Sequence, residues 1–188
     1  MLSSHGIKAS VANYWRYTRQ YPFVAFEGNN GLEWGLGEQA DVLVVSDDGF
    51  LIVIEVKVSL ADFRKDRKKD CHRHFTGDSG RYPVAHFYFA VPKDLANTVS
   101  YLCNELYPYA GVIGCGSTSQ FDVEVYRKPK TLKAEKLTGE QLKYMTRTQT
   151  ATLCRLATKV EELKQIQGNL ESQLKEYKDT EKLTAGKV

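Results

Sequence analysis

Two charged side chains interrupt an apolar stretch, IEVKV, at positions 54–58. Side chains alternate across a β-strand, so Glu55 and Lys57 share a face with Leu51 and Val53. Because both faces of this strand are apolar for most of its length, we expect it to be a buried central strand of the sheet. A charge there costs several kcal/mol unless a partner compensates it. The spacing therefore predicts a polar site at one end of the strand.

A hairpin brings a second acid to the same place. Two apolar runs, residues 40–45 and 50–58, flank a short polar loop that closes with Gly49. If the loop has three residues and Gly49 adopts the left-handed conformation, Asp41 faces Glu55 across the hairpin. A two-residue turn would put Asp41 opposite a side chain of the other face. We prefer the three-residue form because it also groups the apolar side chains consistently.

Two opposed carboxylates in a half-buried site repel each other unless a cation joins them. Asp41, Glu55 and the backbone carbonyl of Val56 form an all-oxygen set that suits Mg²⁺ or Mn²⁺. Lys57 cannot bind a cation, but it can orient or help deprotonate a metal-bound water and stabilise charge on a phosphate. Asp41, Glu55 and Lys57 therefore predict metal-dependent phosphodiester hydrolysis. The alternative is an ordinary solvated Glu-x-Lys ion pair, which contributes little.

The elements that must position these residues follow the order αβββαβαββ through residue 127, which predicts a mixed α/β domain over residues 1–135 with helices covering a central sheet. Ser59 is an expected N-cap, and the second helix is expected to run from there to about His74. A separate helical extension is predicted over residues 138–182.

This extension carries apolar residues spaced three and four apart, with Gln167 at the one polar position of the seam. The pattern predicts a coiled coil and a homodimer formed through this helix. An amphipathic helix that folds back on its own domain remains the alternative. The seam residues are Leu153, Leu156, Val160, Leu163, Leu170, Leu174 and Tyr177.

The formal net charge of +3 does not by itself indicate a polyanionic partner, but residues 57–73 hold seven basic and three acidic side chains. Arg64, Lys65, Lys68 and Lys69 are predicted to bind DNA phosphates without reading sequence. A solvated helix with internal ion pairs is the alternative. The four dispersed cysteines and the lack of an apolar span predict a cytoplasmic protein. A bacterial chromosome, a phage or a mobile element could each encode it.

Five sequence blocks carry a family resemblance. ADVLVV, IEVKVSLADFRKDRKKD, HFYFAVP, GVIGCG and VEVYRKP, together spanning about residues 40–130, resemble the MmcB-like DNA repair protein branch of the PD-(D/E)XK nuclease superfamily. The resemblance implies a restriction-endonuclease-like fold with an αβββαβ core. It also implies that Asp41 and Glu55 are metal ligands and that Lys57 is the catalytic lysine of a Mg²⁺-dependent nuclease acting on DNA.

The chain departs from this family pattern in its first helix. Many relatives place a glutamate there, whereas residues 6–20 contain no acid. An additional carboxylate would have to come from Glu27, Glu33 or Glu38. The alternative is therefore a catalytically inactive protein that keeps the nuclease fold and serves DNA binding or assembly.

Overall fold

The computed structural model describes residues 2–28, 40–69, 72, 75, 84–116 and 122–185. The chain divides into two compact units, Met1–Thr146 and Arg147–Val188. Its elements follow the predicted order: α1 Ser4–Asn13 with a π-helical turn Tyr14–Thr18, β1 Phe23–Gly28, β2 Ala40–Val45, β3 Leu51–Val56, α2 Leu60–Lys65 with a 3₁₀ turn Asp66–Lys68, β4 Val84–Pro92, α3 Lys93–Leu106, β5 Gly111–Cys115, β6 Val123–Arg127 and α4 Gly139–Ala185.

The first unit is built on a six-stranded sheet in the order β1-β2-β3-β4-β5-β6. Strands β1, β2 and β3 are antiparallel to one another, β3, β4 and β5 are parallel, and β6 returns antiparallel to β5. Parallel neighbours need crossover connections, and α2 and α3 lie in these connections. The predicted mixed α/β fold with a long C-terminal helix is confirmed.

The hairpin between β2 and β3 has the predicted three-residue loop. Val42 pairs with Ile54 and Val45 with Leu51. The Ser46 N–H donates to the Phe50 carbonyl at 2.9 Å. Gly49 has a φ of 83°, the left-handed conformation that glycine adopts without strain. The register therefore extends toward Asp41 on β2 and Glu55 on β3, as the sequence predicted.

Each face of the sheet is covered by its own hydrophobic layer. Helix α1 buries Ile7, Val11 and Trp15 against one face, where Ile54 and Tyr88 lie. The opposite face packs against α2, α3, the segment that precedes α4 and the first turns of α4. The buried side chains of this layer include Phe63, Phe87, Phe89, Val99, Leu137 and Met145. Full burial of a side chain of this size contributes about 1.5–3 kcal/mol. Leu51 and Val53 belong to this second layer, which is the face predicted for Glu55.

The second helix is shorter than predicted. It begins as expected after Ser59, whose Oγ accepts from the Asp62 N–H at 3.1 Å. The α-helix then ends at Lys65, a single 3₁₀ turn follows, and the backbone is extended at Lys69 (φ −72°, ψ 136°). A continuous helix to His74 is therefore wrong. The interruption turns Asp66 and Lys69 toward β3, where their charges are compensated.

The second unit consists of the remainder of α4. Up to residue 178, where its side chains are described, the large apolar ones are half exposed or more, from 51% for Val160 to 67% for Tyr177. Within the described ranges, no helix combines the length and the apolar character that crossing a membrane requires.

Candidate active site

Two contacts hold the Asp41 carboxylate at the open end of the β2–β3 hairpin, away from the loop. Its Oδ2 accepts from the backbone N–H of Val56 at 2.8 Å. Its Oδ1 lies 2.8 Å from the Nζ of Lys8, a residue of α1. Only 23% of the Asp41 side chain is exposed. The first helix, which lacks the acid expected from the family pattern, thus brings an ammonium group to this carboxylate.

Glu55 lies on the same face of β3 as Leu51 and Val53, and it is almost fully buried. Its Oε2 accepts from Lys69 Nζ at 2.7 Å and from Lys57 Nζ at 3.3 Å. Burial raises the pKa of Glu55 above its ordinary value, the two lysines oppose that rise, and the negative charge of Asp41 adds to it.

Lys57 follows directly after β3, and its backbone N–H donates to the carbonyl of Ala90 in β4 at 2.9 Å. Its Nζ lies 2.5 Å from Asp66 Oδ1 and 3.3 Å from Glu55. Burial alone would lower the pKa of Lys57, but the charges of Asp66 and Glu55 outweigh burial, so the net shift is upward. Lys57 therefore stays an ammonium at neutral pH, suited to stabilising negative charge rather than removing a proton.

Asp66 and His72 extend this network and were not identified from the sequence. Asp66 Oδ2 accepts from His72 Nε2 at 2.7 Å, and His72 Nδ1 lies 2.5 Å from the hydroxyl of Tyr109. A carboxylate can only accept here, so His72 Nε2 carries a proton and donates it to Asp66. Burial alone would raise the pKa of Asp66, but the hydrogen bonds from His72 and Lys57 outweigh burial. The net result is a pKa lowered from 3.8 to about 2.

The predicted phosphate-binding residues fall into three groups. Arg64 and Lys65 are exposed on α2. Lys69 instead pairs with Glu55 and, at 3.5 Å, with Asp66. The side chain of Lys68 lies outside the described part of the chain. Binding of DNA by these residues stays a prediction.

The predicted additional acids also lie outside the described residues: the side chain of Glu27, and Glu33 and Glu38 altogether. Within the described part, no three His, Cys, Asp or Glu side chains are grouped so that they could hold a metal ion. The arrangement therefore offers two carboxylates from neighbouring strands and the Val56 carbonyl.

These donors fit a divalent cation in their chemistry. Hard oxygen ligands with one or two carboxylates and retained waters are the usual environment of protein-bound Mg²⁺. Each of the two carboxylates is already paired with a lysine. The Lys8 ammonium lies 2.8 Å from Asp41, and the Lys69 ammonium lies 2.7 Å from Glu55. A divalent ion would need the same oxygens, so it fits only if Lys8 and Lys69 move.

The comparisons with known proteins agree with the fold. A solved structure of a protein of unknown function from Silicibacter pomeroyi has a TM-score of 0.55 and 18% sequence identity, covering 84% of this chain and 90% of that chain. At this identity the likeness establishes the fold alone. No curated protein matches the sequence.

The model of the family "DNA repair protein MmcB-like" matches residues 18–107. The matched range contains Asp41, Glu55, Lys57 and Asp66. The resemblance to the MmcB-like DNA repair proteins is thus confirmed over residues 18–107, where this chain matches that family.

Proposed function

We propose that the protein is a metal-dependent DNA nuclease that hydrolyses phosphodiester bonds in DNA repair, in recombination or in the processing of phage or mobile-element DNA. Two observations support this proposal: the Asp41 carboxylate accepts from the N–H of Val56, the residue between Glu55 and Lys57, and Glu55 and Lys57 are in contact. The name of the matching family supports a DNA substrate.

In this proposal Asp41, Glu55 and the Val56 carbonyl hold Mg²⁺ or Mn²⁺. The bound ion supplies Lewis acidity and an activated water. Lys57, held as an ammonium by Asp66, donates to the phosphate oxygens as negative charge develops on them. Asp66 acts through Lys57 and is a positioning residue.

The DNA backbone is proposed to lie along α2. This helix begins three residues after Lys57, and its last turn exposes Arg64 and Lys65. Contacts from such side chains neutralise phosphates and fix the orientation of the duplex without reading its sequence. DNA bound there would approach the site from the side on which Lys69 is partly exposed.

A cleavage assay tests the proposed activity. Incubation with supercoiled, linear and branched DNA in Mg²⁺ or Mn²⁺ is expected to give products that disappear when the metal is chelated. Lys57→Met removes the ammonium but keeps much of the side-chain volume, so cleavage should fall by about a hundredfold or more. Lys133→Met, at an exposed lysine of the same unit, is the matched control and should cleave like the wild type.

A second candidate function is an inactive nuclease-fold protein that binds DNA. It is favoured by one observation: both proposed ligand carboxylates are already paired with lysines. Cleavage by the wild type no faster than by Lys57→Met, on every substrate and with both metals, would contradict the nuclease proposal and support this candidate.

We also propose that α4 pairs with a second copy of itself. Seven apolar side chains and Gln167 form a seam of four heptads along α4, and each of the seven is at least half exposed: Leu153, Leu156, Val160, Leu163, Leu170, Leu174 and Tyr177. A second copy of the same helix has the same period and length, so it can cover the whole seam.

The seam favours a parallel, in-register pair. In that arrangement Gln167 faces its own copy, and the two amides can hydrogen-bond within the one polar layer. A shifted or antiparallel pair would bury Gln167 against leucine. Lys159 and Lys164 flank the seam and would approach each other across a parallel pair, but each lies near an acid of its own helix, Glu162 at 2.8 Å and Glu161 at 3.8 Å.

Light scattering of the full-length protein tests this pairing. The wild type is expected to have twice the monomer mass. Leu163→Lys puts a charge in the seam and should give a monomer, whereas Gln165→Lys, on the opposite side of the helix, should remain a dimer. A monomeric wild type, or a Leu163→Lys protein that remains dimeric, would contradict the proposed pairing.

A further inference from the structure

Two lysines occupy the carboxylates that the proposed function assigns to the metal. Lys8 Nζ lies 2.8 Å from Asp41 Oδ1, and Lys69 Nζ lies 2.7 Å from Glu55 Oε2. These are the short distances of charge-assisted hydrogen bonds. A cation that binds both carboxylates must compete with both ammonium groups.

Among the described residues, the ion pairs of this site join equal numbers of acids and lysines. Three carboxylates, those of Asp41, Glu55 and Asp66, face three ammonium groups, those of Lys8, Lys57 and Lys69. Adding a divalent cation to this set would leave two excess positive charges in a largely buried place, which is unfavourable. Release of two ammonium groups restores the balance.

Lys8 and Lys69 are better placed to leave than Lys57. The Lys57 side chain is 7% exposed and is held between Asp66 and Glu55. Lys69 is 29% exposed and sits where the backbone becomes extended after the 3₁₀ turn. Lys8 is 13% exposed and reaches Asp41 from α1, on the other side of the site. Long lysine side chains can swing toward solvent while their stems stay packed.

We propose that Lys8 and Lys69 are exchangeable counter-ions of the site, displaced when a divalent cation binds and then free to pair with DNA phosphates. This inference rests on the proposed metal-dependent function. It makes metal binding and DNA binding cooperative, because DNA stabilises the displaced positions of the lysines. By thermodynamic linkage, the metal then raises the affinity for DNA by the same factor.

Calorimetric titration of the DNA-free, full-length protein with Mn²⁺ tests the proposal. Lys8→Gln and Lys69→Gln each remove one competing ammonium, so each variant is expected to bind Mn²⁺ about tenfold more tightly than the wild type, within the usual range of such couplings. Lys133→Gln removes an exposed lysine away from the network and should bind like the wild type. Circular dichroism establishes that each variant is folded.

The two lysines lie on different elements, so if one variant fails to fold the other decides the outcome. Mn²⁺ affinities equal to or weaker than that of the wild type would overturn the exchange of counter-ions and leave the metal site standing. Binding by the variants but not by the wild type would support the exchange strongly. No Mn²⁺ binding by any of the proteins would overturn both the exchange and the metal site.

Discussion

Asp41→Asn is expected to reduce metal-dependent DNA cleavage by about a thousandfold, equivalent to ~4 kcal/mol of activation free energy. The asparagine keeps an oxygen that can accept from the Val56 N–H, so the end of the hairpin should retain its structure. What the substitution removes is one negative charge of the proposed metal site. Cleavage rates at saturating Mg²⁺, with the melting temperature measured alongside, check this prediction.

The matched control for this prediction is Asp47→Asn, which makes the same chemical change at an exposed position of the hairpin loop. Its cleavage rate should equal that of the wild type. If Asp41→Asn instead cleaves DNA at a rate within a few fold of the wild type, Asp41 does not take part in the reaction.

Asp66→Asn is expected to lower the free energy of unfolding by about 3 kcal/mol at pH 7. Asp66 is 1% exposed and compensates Lys57, so the neutral side chain leaves a buried ammonium with only Glu55 as its acid partner. Urea unfolding measures the effect. Asp48→Asn, in the exposed hairpin loop, should change the unfolding free energy by no more than about 0.5 kcal/mol.

Asp66→Asn is also expected to change how the free energy of unfolding depends on pH. The pKa of Asp66 is lowered from 3.8 to about 2 in the folded protein, so its ionised form favours folding by roughly 2 kcal/mol. This contribution is fully present above the unfolded pKa and is lost as the pH falls toward the folded pKa. The wild-type and Asp66→Asn stabilities should therefore differ most above about pH 4 and draw together near pH 2. Stability curves that stay parallel across this range would contradict the assignment.

The local part of the site could be predicted from the sequence. Alternation along β3 places Glu55 and Lys57 on one face, and the hairpin loop closed by Gly49 sets the register that brings Asp41 to the same end. Both results depend on residues close together in the chain. Backbone geometry fixes such relations before any tertiary contact forms.

The rest of the network depends on tertiary contacts that no spacing reports. The sequence predicted Asp66 to be one of several acids on a long basic helix. In the structure the α-helix ends at Lys65, and Asp66 turns inward, where it pairs with Lys57 and His72. Tyr109 and Lys8 come from distant parts of the chain. No sequence signal singled out Lys8, because residues 6–20 contain three basic residues and no acid.

Anomalous diffraction from crystals grown with Mn²⁺ measures most directly whether a divalent ion joins Asp41 to Glu55. We expect a peak about 2 Å from an oxygen of each carboxylate and near the Val56 carbonyl, with Lys8 and Lys69 turned away from both acids. A map without Mn²⁺ at this position, in which both lysines keep their ion pairs, would contradict the proposed active site.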